Sequence, residues 1–135
     1  SYDPFLSSQN EAPKAPGMKY KHYAPDAPMR AFIGTPKDVA EAFNNVIHEQ
    51  DTKRGAFLVS QETYELLKDG VHGEFHVYGH SGDAVALAHD FYKTLHHFNE
   101  CDVDYILAEG VENTGLGVAV MNRMEKACAG HIIYL

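Results

Sequence analysis

Residues 29–50, "MRAFIGTPKDVAEAFNNVIHEQ", contain the unit from which the fold is built. The first six residues form an apolar run that ends in glycine, which predicts a short buried strand. Thr35 then supplies an N-cap, Pro36 the first helical position and Asp38 an acid in the first turn. Apolar residues recur at three- and four-residue spacing in the helix that follows: Val39, Ala42, Phe43, Val46 and Ile47. This stretch therefore predicts a strand followed by an amphipathic helix.

The same strand-and-helix unit recurs along the chain. Further strands are predicted at "GAFLVS" (55–60), "EFHVYG" (74–79), "VDYILAEG" (103–110) and "HIIYL" (131–135). Strands that alternate with helices need crossover connections, which are right-handed and place helices on both faces of a mostly parallel sheet. The sequence thus predicts a three-layer, doubly wound, Rossmann-like α/β domain with a five-stranded sheet over residues 29–135.

The later helices also have predicted starts and apolar faces. Ser60 is the predicted N-cap of the second helix, Ser81 and Asp83 open the third, and either Asn113 or Thr114 caps the fourth. In the second and third helices the residues predicted to face inward are Leu66, Leu67, Ala84, Ala88, Phe91, Tyr92, Leu95 and Phe98.

Composition and charge narrow the possible functions. The chain has 135 residues, of which 44% are hydrophobic and 22% charged, the balance of a soluble globular protein with one core. No apolar run approaches the roughly 20 residues that would span a bilayer, and the first residues lack the features of a signal peptide. We expect a cytoplasmic protein without a membrane partner. The net charge of -8 argues against non-specific binding of nucleic acid.

The candidate metal ligands do not form a recognisable site. Cys101 and Cys128 are far apart, and neither a disulfide framework nor a zinc site follows from their spacing. Adjacent helical residues such as His96 and His97 point in different directions. Three more histidines recur every fourth residue in a stretch of strand and turns, where that spacing is about 13 Å and too long for one ion: His72, His76 and His80. We therefore expect no metal bound by this chain.

No catalytic centre is predicted either. The loop "ENTGLG" (112–117) precedes a helix and is either an anion site or a tight turn, and it matches neither the P-loop nor the dinucleotide-binding pattern. Glu109 and Glu112 beside it would repel a phosphate. Several carboxylates lack a nucleophile or base at an informative spacing, and surface charge is the expectation for most of them: Asp83, Asp90, Asp102, Asp104 and Glu109.

The amino-terminal residues differ from the rest of the chain. Residues 12–25 contain Lys14, Lys19 and Lys21 and no acid, so they form a basic segment on an acidic protein. The first 25 residues have no amphipathic period and the chain does not begin with Met, so we expect a piece of a longer protein. We interpret residues 1–28 as a largely irregular interdomain linker and residues 29–135 as one domain.

Three segments carry a resemblance to a known family. The segment "APGMKYKHYAP" (15–25) resembles the linker of the two-domain threonylcarbamoyl-AMP synthases, and "GLGVAVMNRMEKACAGHII" (115–133) resembles the end of their carboxyl-terminal domain. The segment "ALAHDFYKTLHHFNECDVDYILAEG" (86–110) is similar to a helix and strand of the family, although His96 and His97 stand where the family has an Arg nearby. The family's catalytic Lys-x-Arg element is absent from this sequence, and "SQN" at 8–10 is a chance match to its Ser-x-Asn element. The chain therefore resembles the linker plus the accessory domain of such an enzyme.

The resemblance implies a function for the whole enzyme. Its members combine threonine, bicarbonate and ATP into threonylcarbamoyl-AMP, which feeds the threonylcarbamoyladenosine modification of tRNA. The resemblance places ATP and Mg in the amino-terminal catalytic domain, which is this chain's expected partner, and no cofactor in the chain itself. Direct tRNA binding by the acidic domain is not expected. The linker would cover the catalytic cleft, with cations for phosphates and aromatic rings for packing: Lys19, Tyr20, Lys21, His22 and Tyr23.

Two alternatives stay open at this point. Met18, Tyr20 and Tyr23 could simply attach the linker to a neighbouring surface. The domain could also be a free-standing sensor or interaction module that binds a small anion or nucleotide at its loop face. Such a module needs affinity for its ligand without any partner domain, whereas an accessory domain does not.

Overall fold

The computed structural model describes residues 24–135, which form a parallel sheet between two layers of helices. The strands are β1 (Met29–Ile33), β2 (Gly55–Val59), β3 (Glu74–Val77), β4 (Tyr105–Glu109) and β5 (Ile132–Tyr134). The helices are α1 (Pro36–Gln50), α2 (Gln61–Leu67), α3 (Ala84–Glu100) and α4 (Gly117–Ala127). The strand order is β3-β2-β4-β1-β5, and each neighbouring pair is parallel. The predicted fold class is confirmed.

Successive residues of the central strands pack into two separate cores, as the period of two in a strand requires. Ala56 and Leu58 of β2 contribute to the core beneath α3 and α4, whereas Phe57 and Val59 contribute to the core beneath α1 and α2. In β4, Ile106 joins the first core. Both faces of these strands are buried, which explains why their sequences are almost continuously apolar.

Three of the predicted helix starts are confirmed by side-chain caps. The Thr35 hydroxyl accepts a 3.2 Å hydrogen bond from the backbone N–H of Asp38 at the start of α1. The Ser60 hydroxyl accepts one from the N–H of Thr63 at 3.2 Å, and Asp83 accepts one from the N–H of Ala86 at 3.0 Å. Each cap satisfies a backbone donor that the first helical turn leaves without a partner.

The predicted start of α4 is wrong. Its N-cap position is Leu116, and no side chain caps the helix, although Asn113 or Thr114 was the expected cap. The chain reaches α4 through a tight turn in which the N–H of Gly117 donates to the carbonyl of Thr114 at 2.8 Å. Gly115 stands in this turn at φ +53°, in the left-handed region that favours glycine. Backbone hydrogen bonds within the turn therefore replace the side-chain cap.

Two residues that were predicted to face inward are exposed instead. Leu66 of α2 is 57% exposed while its neighbour Leu67 is buried, because adjacent helical residues are about 100° apart. Ala88 of α3 is exposed, and Leu87 and Thr94 occupy the buried face instead, together with Phe91, Leu95 and Phe98. The apolar stripe of α3 is thus shifted by one residue at its amino-terminal end.

The sheet brings together two strand ends that are far apart in sequence. The register pairs Leu58 of β2 with Ala108 of β4, so both strands end at the same level. Tyr105 and Leu107 face the core beneath α1 and α2. By the strand period Glu109 points to the same side, where α2 begins. None of the helices in residues 24–135 is long and apolar enough to cross a membrane.

Candidate functional site

Glu109 fills the space between the ends of β2 and β4. Its side chain is 1% exposed, and Oε1 accepts a 2.7 Å hydrogen bond from the backbone N–H of Ser60. Ser60 and Thr63 are fully buried beside it, and their hydroxyl oxygens are 3.2 Å apart. Ligands of open α/β sheets bind outside the carboxyl ends of the strands. Here the protein places its own carboxylate at this position between β2 and β4.

Burial determines the acidity of this buried polar cluster, which consists of Ser60, Thr63 and Glu109. Burial raises the pKa of the Glu109 carboxyl above its ordinary value, although hydrogen bonds from Ser60 and Thr63 oppose the rise. Burial also raises the pKa of the Tyr78 hydroxyl, and the carboxylate of Glu109 raises it further. The Tyr78 hydroxyl has no hydrogen-bond partner among the described residues. The cluster is closed to solvent and holds the turn between β2 and α2.

An open groove of about 440 Å³ lies between the start of α3 and the loop that leads into α4. Asp83 and Glu112 line the groove, and its described lining residues include no Lys or Arg. Val85 and Leu116, which also line it, are 62% and 76% exposed. An acidic and apolar lining does not suit a phosphate or another anion.

The "ENTGLG" loop forms a tight turn. The N–H of Gly117 donates to Thr114 and that of Val118 donates to Gly115 at 3.3 Å, so two amides at the start of α4 are used within the turn. A Cβ atom at Gly117 would lie 2.1 Å from the carbonyl oxygen of Glu112. Glycine at this position therefore allows the loop backbone to pass directly over the helix start. The turn interpretation is confirmed.

The three evenly spaced histidines do not share a site. His76 contacts the Asp90 carboxylate at 2.6 Å, whereas His80 contacts Glu62 at 3.1 Å. Asp90 also contacts His89 at 2.9 Å. Burial alone raises the pKa of the Asp90 carboxyl, but hydrogen bonds from His76 and His89 outweigh burial and the pKa is lowered. The His76–Asp90 contact connects β3 to α3, whereas the His80–Glu62 contact connects the loop after β3 to α2.

The predicted linker contacts, Lys19, Tyr20, Lys21, His22 and Tyr23, lie outside the described residues. The described part of the chain begins with Ala24, which is buried. The N–H of Asp26 donates to the side-chain oxygen of Asn99 at 3.0 Å, and the carbonyl of Pro28 accepts from Ile106 at 2.9 Å. Residues 24–28 therefore contact α3 and β4 before β1 begins.

Sequence comparison identifies the relatives of this chain. Residues 3–129 match the family model described as threonylcarbamoyl-AMP synthase, C-terminal domain. The threonylcarbamoyl-AMP synthase of Bacillus subtilis is 38% identical over 133 residues, which are 97% of this chain and 36% of that protein. The enzyme of the same name from Pyrococcus abyssi is 38% identical over 121 residues, which are 89% of this chain and 33% of that protein. The chain thus spans about a third of the length of these curated relatives.

Solved structures agree with the sequence comparison. A Pyrococcus abyssi Sua5 crystal structure in complex with L-threonine has a TM-score of 0.63 and 35% identity, covering 91% of this chain and 34% of that one. The C-terminal Sua5 domain of a Pyrococcus horikoshii protein has a TM-score of 0.58 and 29% identity, covering 83% of this chain and 100% of that one. The chain therefore belongs to the family of threonylcarbamoyl-AMP synthase C-terminal domains.

Proposed function

We propose that this chain is the accessory domain and the active-site-covering linker of a threonylcarbamoyl-AMP synthase. The intact enzyme would make threonylcarbamoyl-AMP from threonine, bicarbonate and ATP, releasing pyrophosphate, for the threonylcarbamoyladenosine modification of tRNA. ATP and Mg would bind in an amino-terminal catalytic domain of the same protein. The chain alone would have no activity, and a cytoplasmic location remains our expectation.

This proposal rests on the sequence match, which covers about a third of each whole synthase. The geometry of the domain supports it, because the position where such a sheet would receive a ligand contains Glu109 and the buried hydroxyls around it. A buried carboxylate that is hydrogen-bonded to the backbone at this point fixes a turn and itself occupies the position. The catalytic groups of the enzyme would therefore lie outside residues 24–135.

The linker is the part of the chain that we propose to act on the reaction. Lys19, Lys21 and His22 can donate charge-assisted hydrogen bonds to phosphate or carbamate oxygens, and Tyr20 and Tyr23 can pack against the cleft. A cover over the active site excludes water and holds the substrates while they react. The family resemblance supports this role for residues 19–23.

A free-standing anion or nucleotide sensor has less support. Its ligand would have to bind at the loop face, where Asp83 and Glu112 line the groove and two amides of α4 are used within the turn. An anion placed there would meet like charges without a described cation to offset them. We therefore retain the accessory domain as the functional proposal.

The test compares three samples in an assay for ATP-dependent formation of threonylcarbamoyl-AMP. These are the intact parent protein, this chain alone, and this chain mixed with the separately produced catalytic domain. We expect activity in the parent and none in the chain alone, and titration calorimetry of the chain with ATP should give no binding heat. Activity or tight ATP binding by the chain alone would contradict the accessory role. An inactive parent would contradict the proposed reaction.

A further inference from the structure

The start of β3 meets the end of α3 in a group of three side chains that no step of the proposed function uses. Glu74 is the first residue of β3, and His97 and Cys101 lie at the end of α3. One potential ligand atom from each lies within 4.8 Å of the other two. Among residues 24–135 this is the one group of three such side chains that could hold a metal ion together.

The separation of the two helical donors matches the coordination of a zinc-type ion. In a tetrahedral site with Zn–S of about 2.3 Å and Zn–N of about 2.0–2.1 Å, sulfur and nitrogen are about 3.5–3.6 Å apart. The Cys101 Sγ and His97 Nε2 atoms are 3.5 Å apart. The two residues are four apart on a helical turn, the spacing that places side chains on one face. The separation of these two donors therefore already fits a shared tetrahedral ion.

The surroundings place a carboxylate near the histidine and hold the end of the helix in place. A metal-bound histidine usually directs its second ring nitrogen to a carboxylate, which fixes the ring. His97 Nδ1 lies 3.9 Å from Glu100 Oε1, on the side of the ring away from Cys101. The backbone N–H of Cys101 donates to Phe98 at 3.0 Å and holds the helix end in place. Nε2 of His97 thus faces Cys101, while the Glu100 carboxylate lies near Nδ1, beyond direct hydrogen-bond distance.

Charge and access also suit a divalent cation. Glu74 and a Cys101 thiolate would together supply two negative charges to the ion, and the Arg54 guanidinium beside Glu74 offsets part of them. Glu74 Oε2 is 2.8 Å from the Arg54 guanidinium, and a carboxylate has a second oxygen that can bind a metal. The His97 side chain is 59% exposed and that of Glu74 is 35% exposed, so an ion can reach the group from solvent.

Contrary to the expectation from the sequence that this chain binds no metal, we propose that Glu74, His97 and Cys101 form a binding site for Zn²⁺ or a chemically similar divalent ion, with water as the fourth ligand. Binding replaces the thiol proton of Cys101, which is released to solvent, with a sulfur–metal bond. The site joins the first residue of β3 to the end of α3 and stabilises the fold when it is filled. This inference does not depend on the proposed reaction.

Cobalt titration tests the site, because Co²⁺ replaces Zn²⁺ and reports its ligands by absorption. The full chain, reduced and freed of metal with a chelator, is titrated with Co²⁺ and then with Zn²⁺. We expect a thiolate-to-cobalt charge-transfer band that saturates at one equivalent and disappears when Zn²⁺ is added. Thermal unfolding with Zn²⁺ should occur at a higher temperature than unfolding with chelator.

Variants assign the ligands. Cys101→Ser should abolish the charge-transfer band, and His97→Gln and Glu74→Gln should each weaken Co²⁺ binding by about tenfold or more. The matched control is His96→Gln, which removes the adjacent histidine and should leave binding unchanged. Circular dichroism of each variant checks that it is folded. A wild-type chain without the band, or equal binding by the His96→Gln and His97→Gln variants, would overturn the proposal.

Discussion

The carboxylate of Glu109, at the end of β4, accepts a 2.7 Å hydrogen bond from the backbone N–H of Ser60, at the end of β2. This contact joins two neighbouring strands at the edge of the sheet where α/β proteins bind ligands. The buried hydroxyls of Ser60 and Thr63 complete the polar surroundings of the carboxylate. This hydrogen bond therefore closes the sheet at the carboxyl ends of β2 and β4.

Substitution of Glu109 should affect stability in a way that depends on the replacement. Glu109→Ala leaves the buried Ser60 N–H without an acceptor, and we expect a loss of about 1–3 kcal/mol in the free energy of unfolding. Glu109→Gln keeps an amide oxygen as acceptor and should cost less at neutral pH. Urea denaturation of both variants measures the difference. Equal losses for Ala and Gln would show that the hydrogen bond to Ser60 contributes nothing.

The raised pKa of Glu109 also predicts how the stability of the protein should change with pH. Because the folded-state pKa of Glu109 is raised, its contribution to stability is fully present below the unfolded-state pKa and is lost as pH rises through the folded-state pKa. Glu109→Gln has no such ionisation, so the stability of the wild type relative to this variant should fall as pH rises from the unfolded-state pKa of a glutamate, about 4.3, through the raised folded-state pKa. A constant difference over this range would contradict the raised pKa.

Gly117 tests the turn that begins α4. A Cβ atom there would lie 2.1 Å from the carbonyl oxygen of Glu112, so Gly117→Ala must displace the loop backbone. We expect a destabilisation of about 1–3 kcal/mol. Gly70→Ala is the matched control, since a Cβ atom at Gly70 would have no heavy atom within 4 Å. Thermal unfolding should separate the two variants, and similar midpoints for both would contradict the close approach at Gly117.

The contact between His76 and Asp90 should contribute to stability except in acid. The pKa of Asp90 is lowered, so this contribution is present above the unfolded-state pKa and is lost as pH falls through the folded-state pKa. Asp90→Asn should therefore cost about 1 kcal/mol at neutral pH and little in strong acid. His89→Gln removes the more exposed partner of Asp90 and should cost less than His76→Gln. A larger loss of stability for His89→Gln than for His76→Gln would mean that His89 makes the main contact with Asp90.

The sequence predicts the fold well because each local signal has one physical meaning. The N-caps at Thr35, Ser60 and Asp83 lie next to helices with a clear apolar face, and each is confirmed. The start of α4 was not predicted because backbone bonds in a turn replace the side-chain cap. Strand order did not follow from periodicity, since pairing of β2 with β4 depends on tertiary packing.

The candidate site was harder to predict. Glu109 belongs to a group of carboxylates for most of which the sequence predicts surface charge, yet it is buried. It follows Tyr105 and Leu107 at the next position on the same side of a strand that is buried on both faces. This alternation is a feature of the sequence from which the burial of Glu109 could have been predicted. The spacing of His97 and Cys101 was visible in the sequence, whereas Glu74 comes from another element and joins them only through the fold.

Activity of linker variants of the intact parent protein tests the central claim most directly. The comparison is between the wild type, a Lys19→Ala, Lys21→Ala, Tyr23→Ala variant, and a Lys14→Ala control in the same basic segment, with folding checked by circular dichroism. Each charge-assisted hydrogen bond contributes about 1.5–3 kcal/mol. We therefore expect the triple variant to lose about tenfold or more in kcat/KM for threonylcarbamoyl-AMP formation, with the control unchanged. A folded triple variant with wild-type activity would contradict the account and leave residues 19–23 as a simple tether.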